Sequence, residues 1–179
     1  MIILAFLGNP GKKYLKTRHN IGFILGQKLA EHHGIKLGKN EFQSITGTGP
    51  VAGKECLFIF PQTYMNESGK AVQKAMKYYN ESTESIIAVH DELELKFGDM
   101  RSKFAGGHKG HNGIRSIAKE CGSPDFHRIR FGVGRPDNPH ITIADHVLSN
   151  FTSEQFSKID EIFSEFDEMI CSIIEKSEQ

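Results

Sequence analysis

The chain has 179 residues, enough for one domain with a core of ordinary size, and its 38% hydrophobic and 25% charged content is typical of soluble domains. No apolar run approaches the ~20 residues of a membrane-spanning helix, and the apolar start is too short, with no basic residues ahead of it, to read as an export signal. Formal net charge is zero but segregated: residues 12–40 carry seven Lys/Arg against one Glu, residues 95–135 nine against three acids, and residues 151–179 two Lys against eight acids. The two basic segments are expected to form one patch for a polyanion, with the acidic segment elsewhere, or else a solvated surface of mixed sign.

Ile2 to Leu7 is a continuous apolar run, the signature of a strand buried on both faces. Gly8-Asn9-Pro10-Gly11 then forces a turn. A helix is predicted from about Asn20, with Ile21, Ile24, Leu25 and Leu29 on one stripe and Gly34 closing it. Between strand and helix stand Asn9, Tyr14, His19 and four basic residues, Lys12, Lys13, Lys16 and Arg18. In open α/β sheets ligands bind outside the carboxyl ends of strands, so this stretch is where a substrate is expected.

Gln43–Gly49 and Lys54–Phe60 read as a hairpin turning at 50–53. Gly47-x-Gly49-x-x-Ala52 imitates a dinucleotide fingerprint, but a strand follows it rather than a helix, so it is set aside. Pro61-Gln62-Thr63-Tyr64-Met65-Asn66 leads into a helix with Ala71, Val72, Ala75, Met76 and Tyr79 on one face. Ile86 to Val89 is a further buried strand, ending in His90-Asp91-Glu92, and another is expected over 97–103. The glycine-rich turn 105–113, AGGHKGHNG, opens a helix with Ile114, Ile117, Ala118 and Cys121 inward, stopped by Gly122. Residues 128–134 alternate, with Arg128 and Arg130 on a half-exposed basic face. Residues 135–145 read as a loop. The last helix starts at Thr152, which with Gln155 makes a capping box, and its stripe is Phe156, Ile159, Phe163, Phe166, Ile170 and Ile173. The pattern predicts a single α/β domain, a twisted mixed sheet flanked by helices. Cys56, Cys121 and Cys171 are odd in number and widely spaced, without C-x-x-C, which argues for a reducing cytoplasm and against zinc.

Three apolar strands thus end in polar clusters, GNPG, PQTYMN and HDEL. If they are parallel neighbours the clusters converge, and GGHKGHNG can complete the ring. A histidine with a carboxylate partner takes a proton from water near neutral pH, and the carboxylate fixes its tautomer. Asparagines offer donor and acceptor to an ester or peptide unit and to a developing oxyanion. There is no G-x-S-x-G elbow, so water is the economical nucleophile. Other readings stand beside this one. Asn20, Asn66 and Asn112 each precede a helical pattern and suit N-caps. His90-Asp91 suits a solvated strand end, and Tyr64 and Met65 suit packing. His108 and His111 could hold a metal, though not at H-E-x-x-H spacing.

The set G-N-P-G-x-x-Y-x-x-T-R-H-N-x-G-F, P-x-T-Y-M-N-x-S-G, H-D-E-L, G-G-H-x-G-H-N-G and F-H-R-I-R-F-G-V-G-R-P, in this order over nearly the whole chain, resembles the bacterial peptidyl-tRNA hydrolase family. The resemblance implies a monomeric cytoplasmic enzyme, without metal or cofactor. It implies cleavage of the ester between a peptide and the 3′-terminal ribose of tRNA. It makes His19 the base, Asp91 its orienting carboxylate and Asn112 the amide that positions water and substrate. Asn9 and Asn66 would hold the peptide–ribose end, Tyr14 and Tyr64 line the tRNA end at the rim, and Lys103 and Arg130 take the tRNA 5′-phosphate, with Met65 among the substrate-binding residues. Lys109, Glu92, Glu94 and Lys96 depart from the family pattern at the edge of the site. An RNA-binding protein of the same fold without catalysis is the alternative, and a metal hydrolase using His108 and His111 a third.

Overall fold

The computed structural model describes residues 1–177. Strand β1 (Ile2–Phe6) lies in the middle of a seven-stranded mixed sheet. Its apolar side chains alternate between two cores, as a strand covered on both faces requires. Parallel neighbours flank it, β4 (Lys54–Pro61) on one side and β5 (Ile86–Glu92) on the other. Beyond β4 come the antiparallel β3 (Ser44–Val51) and the short edge strand β2 (Lys39–Glu41). Beyond β5 come β7 (His127–Gly132), parallel to it, and the antiparallel edge strand β6 (Met100–Phe104). The strand order is therefore β2-β3-β4-β1-β5-β7-β6.

Helices α1 (Ile21–His32) and α5 (Ser153–Lys176) cover one face, where Leu25, Leu29, Ile159, Phe166 and Ile170 meet Leu4, Phe6, Phe58, Val89 and Phe131. Helices α2 (Ser68–Tyr78) and α3 (Asn112–Cys121) cover the other, where Ala71, Ala75, Ile114 and Ile117 meet Ile3, Ala5, Leu57 and Ala88. A short α4 (Ile143–Val147) follows the loop after β7. The α/β class, the mixed sheet and the parallel central strands are as the sequence predicts, and none of the described helices is long and apolar enough to cross a membrane.

Local differences have physical causes. The hairpin turns at Ala52-Gly53 alone, both at positive φ (50° and 78°), so β3 runs on through Pro50 and Val51. This is the mirror-image two-residue turn that matches strand twist. Strand β2 is three polar residues at an edge and carries no alternating apolar signal. The buried stripe of α5 is Ile159, Ile162, Phe166, Ile170 and Ile174, with Phe156, Phe163 and Ile173 only half-buried, so the helix is rotated from the predicted orientation. Its capping box, Thr152 with Gln155, forms as expected.

The approach of α1 to the sheet is unusually close. A Cβ on Gly22 would stand 2.5 Å from Leu7 N, Leu7 O and Val89 O, so only glycine lets the first turn of this helix rest on the end of β1 and the middle of β5. That contact sets the height of the segment just before the helix, which carries His19, above the strand that carries Asp91.

Candidate active site

β1, β4 and β5 are parallel neighbours, so the three polar clusters meet at one edge of the sheet. They surround a cleft of about 770 Å³ lined by Asn9, His19, Tyr64, Met65, Asn66, His90, Asp91, Asn112 and, opposite, Ile143, Val147 and Leu148.

Asp91 is the pivot. It is 4% exposed, and its carboxylate joins two histidines, with Oδ2 2.8 Å from His19 Nδ1 and Oδ1 2.8 Å from His111 Nε2. The tautomers follow from the surroundings. His111 is the N-cap of α3, and its Nδ1 accepts from Gly113 N and Ile114 N. Nδ1 must keep its lone pair, so the proton sits on Nε2 and is donated to Asp91. With Asp91 ionised, His19 donates from Nδ1, which leaves its Nε2 as the free basic atom. Burial lowers the His19 pKa, but the charge and hydrogen bond of Asp91 together outweigh it, and the pKa lies above the ordinary 6.5. Burial likewise works to raise the Asp91 pKa. The two histidines reverse this and hold the group well below the usual carboxylate range.

His90, next in line, is neutral. Burial and the neighbouring His111 push its pKa down to about 3. Its Nδ1–H donates to the Asp91 carbonyl at 2.8 Å, and its Nε2 has no hydrogen-bond partner among the described residues. The reading of His90-Asp91 as a solvated strand end is therefore wrong: β5 continues through Glu92 and buries both.

Asn9 is fixed at three points. Its N–H donates to Asn20 Oδ1 (2.9 Å), its carbonyl accepts from Asn20 Nδ2 (3.0 Å), and its Oδ1 accepts from Met65 N (2.7 Å). The last bond orients the amide and turns its Nδ2–H₂ donors to the cleft. Asn20 makes no cap bond with α1; its side chain is fully buried and serves Asn9 instead. Asn66 lies in a 3₁₀ turn, Met65–Glu67, and also caps nothing. Asn112 is the first residue of α3, because His111 takes the cap position. Asn66, Asn112 and the 61%-exposed Tyr64 are open to solvent around the cleft, while Met65 is buried in its wall. Tyr14 stands outside the lining, in a 3₁₀ turn with Lys13 Nζ 4.9 Å from its ring centre.

The basic residues divide. Arg18, expected near substrate, is instead a structural tie: its guanidinium donates to Ser149 O, Ser149 Oγ, Asn150 O and Gln155 Oε1, fastening the start of α5. Arg128 is 3% exposed, against the predicted half-exposed face, and donates to the carbonyls of Gly106, Gly107 and Pro124, so it braces the glycine-rich turn. Lys103 and Arg130 lie outside the cleft lining on the same sheet face, with Lys103 opposite Arg128. Burial, then the charges of Lys109, Arg130 and Arg128, lower the Lys103 pKa. Arg130 also stands 3.6 Å from Glu92.

Among the described residues, two groups bring two histidines and an aspartate within metal-binding reach: His19, Asp91 and His111, and separately His32, His33 and Asp167. His108 belongs to neither and accepts from Gly110 N. Two contributors escaped the sequence reading in their actual roles. His111 stands in the glycine-rich turn among the pooled histidines, but the sequence gives no sign that it caps α3, since histidine is not a usual cap. The apolar wall of Ile143, Val147 and Leu148 starts inside the stretch 135–145 that the sequence reads as a loop, although Thr142-x-x-Asp145 is a cap signal there, and Thr142 does cap Asp145 N.

The family model described as peptidyl-tRNA hydrolase matches residues 3–179. The peptidyl-tRNA hydrolase of Syntrophotalea carbinolica is 42% identical over 179 residues, covering 100% of this chain and 93% of that one. The Bacillus subtilis protein of the same name is 43% identical over 161 residues, covering 90% and 85%. The crystal structure of peptidyl-tRNA hydrolase from Acinetobacter baumannii superposes with a TM-score of 0.89 at 37% identity, over 98% of this chain and 89% of that one. With the fold, nearly the full length and the motif order in agreement, the chain belongs to the peptidyl-tRNA hydrolase family.

Proposed function

We propose that this protein hydrolyses the ester linking a peptide to the 3′-terminal ribose of tRNA, using water activated by His19. The observation that carries the mechanism is the Asp91 carboxylate held between His19 Nδ1 and His111 Nε2 on the cleft floor. Asp91 keeps the His19 proton on Nδ1 and favours the imidazolium that forms when Nε2 takes a proton from water. His111 Nδ1 accepts two backbone hydrogen bonds at the start of α3, which leaves its Nε2–H for Asp91.

In the reaction the water oxygen bonds to the ester carbonyl carbon, and its proton passes to His19 Nε2. The carbonyl oxygen becomes an oxyanion, for which the fixed Asn9 amide and the cleft amides of Asn66 and Asn112 are available donors. The carbonyl then re-forms as the carbon–oxygen bond to the ribose breaks, and the imidazolium returns the proton to the leaving ribose oxygen. The products are a peptide acid and free tRNA. We assign the apolar wall of Ile143, Val147 and Leu148 to the peptide, and Tyr64 to the terminal nucleotide as a stacking surface. Lys103 and Arg130 are proposed to take the tRNA 5′-phosphate, supported by the cluster they form with Lys109 and Arg128. A terminal phosphomonoester carries about −1.5 to −2 charge at pH 7, more than a backbone diester, so several cations together favour it. We take the working form to be a monomer in the cytoplasm.

The test is to incubate the purified protein with N-blocked aminoacyl-tRNA, after exhaustive chelation, and to measure deacylated tRNA. Turnover that vanishes in His19→Ala is the expected result. A chain that binds tRNA without turnover would restore the catalytically silent alternative, and loss on chelation would favour a metal hydrolase.

A further inference from the structure

The second His–His–Asp group lies at the other end of α1. His32 is the last residue of the helix, and His33 follows at its C-cap, roughly 20 Å along the axis from His19 at about 1.5 Å per residue. Both face Asp167 on α5. His33 Nε2 is 2.6 Å from Asp167 Oδ1 and His32 Nε2 is 3.6 Å from Oδ2. The three donor atoms all lie within 4.8 Å of one another. One turn along α5, the Cys171 thiol approaches Asp167 Oδ1 at 3.7 Å and steadies the carboxylate. The same seam is joined one turn earlier on α1 by the Lys28–Asp160 ion pair. None of these residues lines the cleft.

We propose that His32, His33 and Asp167 form a binding site for a borderline divalent ion of the zinc class, which bridges α1 and α5. Two imidazole nitrogens and one carboxylate oxygen suit Zn²⁺, whereas Mg²⁺ and Ca²⁺ want mostly oxygen ligands. Tetrahedral ligands about 2.0–2.2 Å from zinc stand roughly 3.3–3.6 Å apart. The His32–Asp167 separation already fits that and is too long for a hydrogen bond, while the 2.6 Å His33–Asp167 contact is a hydrogen bond that the ion would replace. The ion therefore supplies His32 with a partner that the protein does not. His32 has a side chain 55% exposed, which provides the entry path and leaves the fourth coordination position to water. The cysteine spacing that argues against zinc is no obstacle, because the ligands here are histidines, brought together from positions 134 and 135 residues before Asp167.

The experiment must keep the catalytic histidine out of the measurement. Full-length His19→Asn protein, stripped with chelator and exchanged into clean buffer, is titrated calorimetrically with Zn²⁺ at neutral pH. One ion per chain is expected, and adding His32→Ala should weaken binding at least tenfold. Asp167→Asn, which retains the shape of the side chain, should do the same. A long-range ¹H–¹⁵N spectrum should show the ring nitrogens of His32 and His33 moving on zinc addition while those of His111 stay. In the otherwise wild-type chain His32→Ala should leave turnover unchanged. The proposal is overturned if His19→Asn takes up no zinc, if His32→Ala and Asp167→Asn leave the isotherm as it was, or if the His111 resonances move instead.

Discussion

Helix α1 has two histidines and an aspartate at each end, and the two sets could hardly behave more differently. At its start, Asp91 is buried, bonded on both oxygens, and surrounded by groups that fix every proton. At its end, Asp167 is partly open, and one of its histidines stands beyond hydrogen-bond reach. The residue types are the same. What separates the proposed base from the pair at the far end is burial, which makes the Asp91 charge count, and the helix cap, which turns the His111 Nε2–H towards Asp91. Breaking each feature in turn measures its share.

The largest effect is expected from removing the base. His19→Ala should lower kcat by about 10²–10⁴ and leave tRNA binding nearly intact, because a base acts on the transition state. Retention of more than about a tenth of wild-type kcat would falsify the assignment. Asp91→Asn should lower activity less steeply and also displace the acidic limb of the pH–rate profile. The sign follows from the direction of the shift: Asp91 raises the His19 pKa, so its loss moves the limb to lower pH. A limb that stays in place would uncouple the two groups.

A smaller effect should follow at Asn20, which touches no substrate. Asn20→Ala strips both hydrogen bonds from the Asn9 backbone and should cost about 1–3 kcal/mol of stability, measured by denaturant unfolding, together with a loss of kcat. Unchanged kcat in the folded variant would show that Asn9 needs no such support. For the basic cluster, a cycle of Arg130→Ala against substrate with and without its 5′-phosphate should show coupling of about tenfold in kcat/KM, within the range of one charge-assisted hydrogen bond. Strict additivity would detach Arg130 from that phosphate. The smallest effect belongs to the far end of α1: without metal, His33→Ala should change stability by about 0–1 kcal/mol and leave kcat alone. A large loss there would mean that the two ends are more alike than their burial suggests.

Acidity gives one more contrast. His90 is held neutral with a pKa pushed down to about 3, against about 6.5 for an unfolded histidine. Below pH 6.5 the unfolded chain therefore binds a proton that the native chain refuses, and stability should fall steadily towards pH 3. Urea midpoints across this window should fall less steeply in His90→Gln.

The sequence disclosed the parts of the molecule that depend on pattern. The apolar runs mark β1, β4 and β5 as central strands, and the polar clusters after them do meet at one edge of the sheet. Thr152 and Gln155 revealed the start of α5. What remained hidden depends on contacts between distant residues. Nothing near Asn20 says that it will serve Asn9 rather than cap its helix. Arg18 and Arg128 look like free surface charge until the carbonyls they bind are folded against them. The second histidine of the site was visible, but its task is set by where α3 begins, and histidine gives no capping signal.

The docking of α1 on the sheet at Gly22 has a consequence for how the protein tolerates change. With Leu7 and Val89 backbone atoms 2.5 Å from where a side chain would begin, even a methyl group would lift the helix and carry His19 away from Asp91. In a deep mutational scan selecting for growth, position 22 should therefore be depleted of every alternative as thoroughly as position 19, although it offers the reaction no functional group. The distance between the proposed base and its carboxylate is thus locked by a residue whose whole contribution is the absence of a side chain.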